Sequence, residues 1–292
     1  MEYKTAEQYI QDNARYLEKQ IYHHYFISPC ADKVVKALSM YQNKDGGYGN
    51  GLEPDFRLPN SSPMATSVAL RLLSEFKNEP LAFDQIEKAI SYLENTYLPE
   101  KNGWEKTGKL VNLFPHAPWW QYGDVDLNFD FNPSAELLGY LIEFRQYVKH
   151  LDVELLTKIY IEQYLAKDDI EVHQFYCILR LNKKLSDIEQ ALLINKLKSD
   201  YQNLVCVVPS EWNGYVPMPV NFLLDDKDNI LEVSEELINA NMMYLKGVLL
   251  DYGVIVPNWS WNAFPEDWEI AKREWTGILT LDYLRLMSRF VK

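Results

Sequence analysis

Apolar residues recur at the i, i+3, i+4, i+7 spacing of a helix over most of the chain. The pattern predicts helices at 5–26, 29–42, 63–77, 82–97, 133–149, 152–166, 169–182, 186–200, 233–251 and 267–290. Several starts carry capping residues. Ser28-Pro29, Ser62-Pro63 and Asn132-Pro133 each read as an N-cap followed by the fixed φ of proline, and Ser186 with Glu189 reads as a capping box. Strand signals are few: "NLVCVVP" at 203–209 is the best of them, with Phe222–Leu224 as a hairpin partner. The expected class is all-α, as one domain over 1–292.

The connections are of two kinds. Residues 183–185 link two helices tightly, whereas 43–62, 98–132, 201–232 and 252–266 are long. Long connections in a folded domain tend to carry function. Each precedes an apolar helix, so they are expected to gather at one end of a stack of helical hairpins. A degenerate repeat supports this. "DGGYGNGLEPDFRLPNSSPMATSVALRLL" and "YGDVDLNFDFNPSAELLGYLIEF" both run from acidic loop residues through Pro, Ser and Ala into a Leu-rich helix. Looser copies begin at "EWNGYVPMP" and "DYGVIVPNW". The tryptophans follow the same connections. Trp104, Trp119, Trp120, Trp212, Trp259 and Trp261 fall inside them, Trp268 at the edge of one, and Trp275 within a helix. Indoles gathered this way either plug one end of the stack or line a pocket there.

Gln42, Asp45-Gly46-Gly47-Tyr48-Gly49, then Ser62-Pro63 and Ala65-Thr66 before an apolar helix, resemble the repeat of the terpenoid cyclase and protein prenyltransferase superfamily. The resemblance covers most of the chain in organisation. In motif it covers 42–70 and, less closely, 103–104, 130–138 and 212–215. It implies an α/α toroid, an incomplete barrel of helical hairpins whose inner helices surround a cavity. The catalytic motifs differ. Where squalene-hopene-type cyclases carry DxDD, this chain has Asp130-Phe131-Asn132, and an amide at 132 cannot supply the proton. The zinc ligands of the prenyltransferases have no counterpart: His173 and Cys177 lie four apart with no third partner.

Composition narrows the ligand. Hydrophobic residues make up 47% and aromatics 14% of 292 residues, enough for a large core. A net charge of −13 opposes nucleic acid and anionic membranes. It also disfavours a polyphosphate unless a local basic patch corrects the field. Three scattered cysteines, Cys30, Cys177 and Cys206, suggest neither disulfides nor a zinc site. No signal-peptide core and no membrane-length apolar run are apparent, so a cytoplasmic protein is expected. No GxSxG, Walker or dinucleotide fingerprint appears, and no cofactor or metal is expected.

Three acidic constellations carry candidate chemistry. Glu53 and Asp55 can act as an acid–base pair or grip hydroxyls, with Arg57 lowering one pKa; as structure, the three pair among themselves. Asp124, Asp126 and Asp130 in "GDVDLNFDFN" alternate like a calcium loop, without its Gly and terminal Glu. Asp130 stands out because it precedes an inner helix, where cap duty competes with catalysis. Glu211 sits among the aromatics Trp212 and Tyr215. His116, beside Trp119, Trp120 and Tyr122, reads either as packing or as a proton shuttle near Asp124. With Trp259 and Trp261, these residues form the expected lining.

The leading expectation is an enzyme, or a relative that has lost activity, holding a small isoprenoid-like ligand in an aromatic and acidic cavity. The first alternative is a carbohydrate-active or sugar-binding protein using paired carboxylates and Trp stacking. The second is a non-catalytic peptide- or protein-binding module, for which 20 tyrosines are suited.

Overall fold

The apolar stripes become twelve α-helices, and no β-strand forms among the described residues. The structure, a computed structural model, describes residues 4–123 and 130–290. The chain divides into two compact units, Leu38–Leu204 and Met1–Ala37 with Val205–Lys292. Among the described residues no helix is long and apolar enough to cross a membrane.

The Leu38–Leu204 unit is a row of helical hairpins. Helices α4 (Pro63–Glu75), α6 (Phe131–Glu143) and α8 (Val172–Asn182) lie side by side in that order. Behind them run α5 (Pro80–Thr96), α7 (Val153–Leu165) and α9 (Asp187–Leu204), each packed on the helix that precedes it. The pair α6–α8 is the most extensive. Gly139 permits this: a Cβ there would sit 3.3 Å from the Leu181 backbone, so α8 settles directly on the α6 main chain.

Each start is set by local chemistry. Ser62 accepts from the Ala65 amide at 3.1 Å, with Pro63 in the first turn. Ser186 Oγ and its own amide both donate to Glu189 at 2.7 and 2.9 Å, the expected capping box. Two starts differ from expectation. Helix α6 is capped by Asp130, two residues before Asn132, which lies outside helical geometry. Helix α3 (Ala31–Ser39) begins after Ser28-Pro29, with Cys30 accepting the first backbone bond.

The glycine-rich segment after α3 is tied down on all sides. Gln42 Nε2 donates to the Gly46 carbonyl at 2.9 Å and the Gln85 carbonyl at 3.0 Å. Tyr48 is fully buried; its amide donates to Thr66 Oγ1 and its hydroxyl to Gln85 Oε1. A Cβ on Gly49 would stand 2.2 Å from the Asn60 carbonyl oxygen, so only glycine lets the two backbone runs meet.

The other unit holds α1 (Lys4–Asn13), α2 (Tyr16–Phe26), α10 (Pro219–Leu223), α11 (Glu235–Tyr252) and α12 (Pro265–Phe290). Helices α1 and α2 both pack on α12. The single helix expected over 5–26 is broken at Arg15, whose backbone is extended (φ −61, ψ 160). Its guanidinium grips both Glu18 oxygens at 2.9 and 2.7 Å and so anchors the new start. The strand expected at 203–209 does not form: α9 runs to Leu204, and a tight turn follows at Pro209–Glu211. Cys206 finds one backbone partner, Pro217, and the prolines at 209, 217 and 219 carry no amide to extend a ladder. The supposed partner Phe222 lies in α10, and Leu224 caps that helix.

Candidate functional site

Two long connections of the Leu38–Leu204 unit fold against each other. Phe56 pairs with His116 across a short antiparallel bridge, where Arg57 donates to the Pro115 carbonyl and Ala117 to that of Asp55, both at 2.8 Å. This brings Glu53, Asp55, Arg57, His116 and Trp120 of these two connections together. Their chemistry is inward. Glu53 and Asp55 are buried, and Glu53 Oε2 accepts from the Asp55 amide at 2.8 Å. The His116 ring is tied at both nitrogens, to the Phe114 carbonyl at 2.6 Å and Gln121 Oε1 at 2.8 Å. Trp120 meets Phe56 edge to face at 5.7 Å, whereas Trp119 is exposed. Tyr122 donates to Glu105 at 3.0 Å. Asp124 and Asp126 lie outside the described residues.

Asp130 does two jobs. One oxygen accepts from the Asn132 amide at 2.6 Å and starts α6; the other accepts from Lys106 at 2.8 Å. The Lys106 carbonyl in turn accepts from Met64 at the start of α4. The 104–108 stretch therefore joins the beginnings of α4 and α6.

One and a half turns into α6 lies a group that sequence reasoning did not select. Glu136 is 1% exposed and takes cations from both neighbouring helices. Arg71 of α4 donates through Nε and Nη2 to its two oxygens, each at 2.9 Å. Arg180 of α8 donates through Nη1 at 2.8 Å, and Tyr140 through its hydroxyl at 2.8 Å. Burial works to raise the Glu136 pKa, but Arg180 and then Arg71, with their hydrogen bonds, bring it down to about 2. For Arg71, burial and the neighbouring Arg180 act downward; Glu136 more than reverses them, and the net shift is upward. The carboxylate is thus ionised throughout the physiological range. It holds arginines and cannot relay protons.

Arg71 shows an asymmetry. Its inner edge is committed to Glu136, while 42% of its side chain reaches solvent. Its Nη1 has no partner among the described residues. His173, at the start of α8, is about half exposed. Burial nevertheless lowers its pKa; Glu171 opposes the shift, and the Arg180 and Lys106 charges add to it. Cys177 Sγ lies 3.6 Å from Asn132 Oδ1 and 3.8 Å from Glu136 Oε2. Among the described residues, no three His, Cys, Asp or Glu side chains gather as a metal site requires. Two turns further along α6, Glu143 repeats the bridge with Lys77 at 2.8 Å and Lys184 at 2.6 Å.

The remaining expected residues belong to the other unit. Trp212 and Trp261 are core: Trp212 Nε1 donates to the Cys206 carbonyl at 2.8 Å, and Trp261 meets Trp268 at a 46° tilt, ring centres 5.8 Å apart. Tyr215 is exposed and meets Trp259 at 5.9 Å, and Trp259 meets Trp275 at 5.3 Å. Glu211 is exposed, beside Cys206. The indoles therefore divide between the core and the surface.

No protein-family model, no curated protein and no solved structure matches this chain.

Proposed function

We propose that the protein binds a small organic anion, carrying a carboxylate or phosphate, between α4, α6 and α8. The scaffold is read as an α/α toroid in which these three are inner helices. The side-by-side order of α4, α6 and α8, each backed by a second helix, supports the toroid reading. It would turn Arg71, Glu136 and Arg180 towards a shared cavity.

The carrying observation is the half-used guanidinium of Arg71. Glu136 fixes its plane and leaves Nη1 and one Nη2 hydrogen available. That fork matches two oxygens of a carboxylate or phosphate. Orientation costs little on binding because Glu136 has already set it. The surrounding charges balance: Arg71, Arg180 and Lys106 stand against Glu136, Asp130 and Glu171, in a chain whose net charge is −13. The isoprenoid expectation survives in one form, since a prenyl phosphate carries such a head group. Glu136, whose carboxyl the two arginines hold well below its ordinary pKa, favours binding over acid–base chemistry.

Calorimetric titration of the full chain with citrate, pyrophosphate and a prenyl diphosphate tests this. At least one should bind saturably, more weakly at high salt. Arg71→Gln should weaken it about tenfold or more, the loss of one charge-assisted fork. Equal binding by the variant, or no binding of any probe, refutes the reading.

A further inference from the structure

Helix α11 (Glu235–Tyr252) belongs to the unit of Met1–Ala37 and Val205–Lys292, apart from the Arg71–Glu136 cluster. One of its faces is buried, through Ile238, Asn241, Met242, Leu245 and Leu249. The opposite face carries Ala240, Met243, Gly247 and Leu250. Their intervals of three, four and three residues are the a/d spacing of a coiled-coil seam. This seam lies open: Met243 is 75% exposed and Leu250 54%.

Two further features say what covers it. Gly247 lies in the helix interior, where glycine is among the least favourable residues. A Cβ there would meet nothing within 4 Å, so no packing inside the chain requires the glycine. A second helix laid along the seam gives it a use, because main chains approach most closely where a side chain is missing. The flanks of the seam carry both signs of charge. Lys246 borders it on one side and Asp251 on the other, five residues apart. That is the g-to-e offset at which opposite charges meet across a parallel two-stranded coil.

We propose that α11 is the interface of a parallel two-fold dimer, in which a second copy of this chain lies along Ala240, Met243, Gly247 and Leu250. A two-fold contact sets each patch against itself. Met243 and Leu250 then cover their own counterparts, and Gly247 faces Gly247. Lys246 of each copy meets Asp251 of the other, so the surface complements its own charge. The antiparallel pairing that keeps all four layers would instead set Lys246 against Lys246. An anionic bilayer is opposed by Glu236 and Asp251 at the two ends of the seam. The seam is short, so it covers less than the roughly 1,600 Å² of a standard interface, and a Kd of roughly 10–100 μM is expected.

Sedimentation velocity of the full chain at rising concentration is the test. The mean mass should climb from that of one chain towards that of two. Met243→Glu should remain monomeric and melt like the dilute parent, because its side chain stands in solvent. Lys246→Asp should weaken association about tenfold or more, and adding Asp251→Lys to it should restore the parent affinity. Gly247→Gln should loosen the dimer while keeping or raising the melting temperature of the dilute chain. The proposal is overturned if the parent stays monomeric at millimolar concentration, or if Met243→Glu or Gly247→Gln associates as tightly as the parent. It also falls if the doubly exchanged variant fails to recover what Lys246→Asp loses.

Discussion

Glu136→Gln keeps the shape of the side chain and removes the charge that two arginines share. Glu136 is 1% exposed and accepts two hydrogen bonds from Arg71 and one each from Arg180, Tyr140 and the Cys177 thiol. Removing one partner of a buried ion network costs roughly 3–5 kcal/mol, because the remaining charge stays buried without compensation. Arg71, at 42% exposure, can turn to water, whereas Arg180, at 17%, cannot do so readily. The lower end, about 3 kcal/mol, is therefore expected. The arginines' hold on the carboxyl, from its ordinary 4.5 down to about 2, is of the same order, about 3 kcal/mol. Urea unfolding at neutral pH should show a lower midpoint with unchanged slope, and the melting temperature should fall by about 6–12 °C. The pH dependence has a defined sign. A carboxyl whose folded pKa lies below its unfolded value stabilises fully above the unfolded value. That contribution disappears as pH falls from about 4.5 towards about 2, and Glu136→Gln should flatten this acid limb. A variant melting within a degree or so of the parent, with the same acid limb, would show that the arginines do not depend on Glu136.

Asp130→Asn should retain the α6 cap and lose only the Lys106 pair, while Asp130→Ala should cost about 1 kcal/mol more in urea unfolding; equal midpoints for the two would remove Asp130 from the cap. Gly49→Ala forces a methyl to within 2.2 Å of the Asn60 carbonyl. It should cost about 3 kcal/mol or more; a thermal melt matching the parent would mean that the loop yields where tight apposition is argued.

Most of the fold was legible because its signals are local. Ser62-Pro63 before an apolar run specifies α4 within four residues, and Gln42 with Gly46 closes its turn four residues on. The failures have non-local causes. Arg15 breaks the first helix through Glu18, and Ala14 sits where α12 has Gly277, a fit that no periodicity displays. In "NLVCVVP" the apolar residues imitate a strand, but its neighbours supply prolines instead of a ladder. The candidate site was least legible. Asp130 was singled out for its position, yet Glu136 meets partners 65 and 44 residues away. The available signal was a charge inside an apolar stripe: Arg71 between leucines, Glu136 between Ala135 and Leu137, Arg180 between Leu179 and Leu181. A charge so placed needs a counter-charge from another helix.

The segment around Tyr48 is rich in glycine, a composition usually equated with motion. Here glycine brings two main chains into contact, and the bonds of Gln42, Tyr48 and Ser62 close the gap. Amides from 46 to 49 should accordingly exchange with deuterated solvent as slowly as those of a helix core. This stretch then behaves as a fixed strut of its unit, as rigid as the helices it joins.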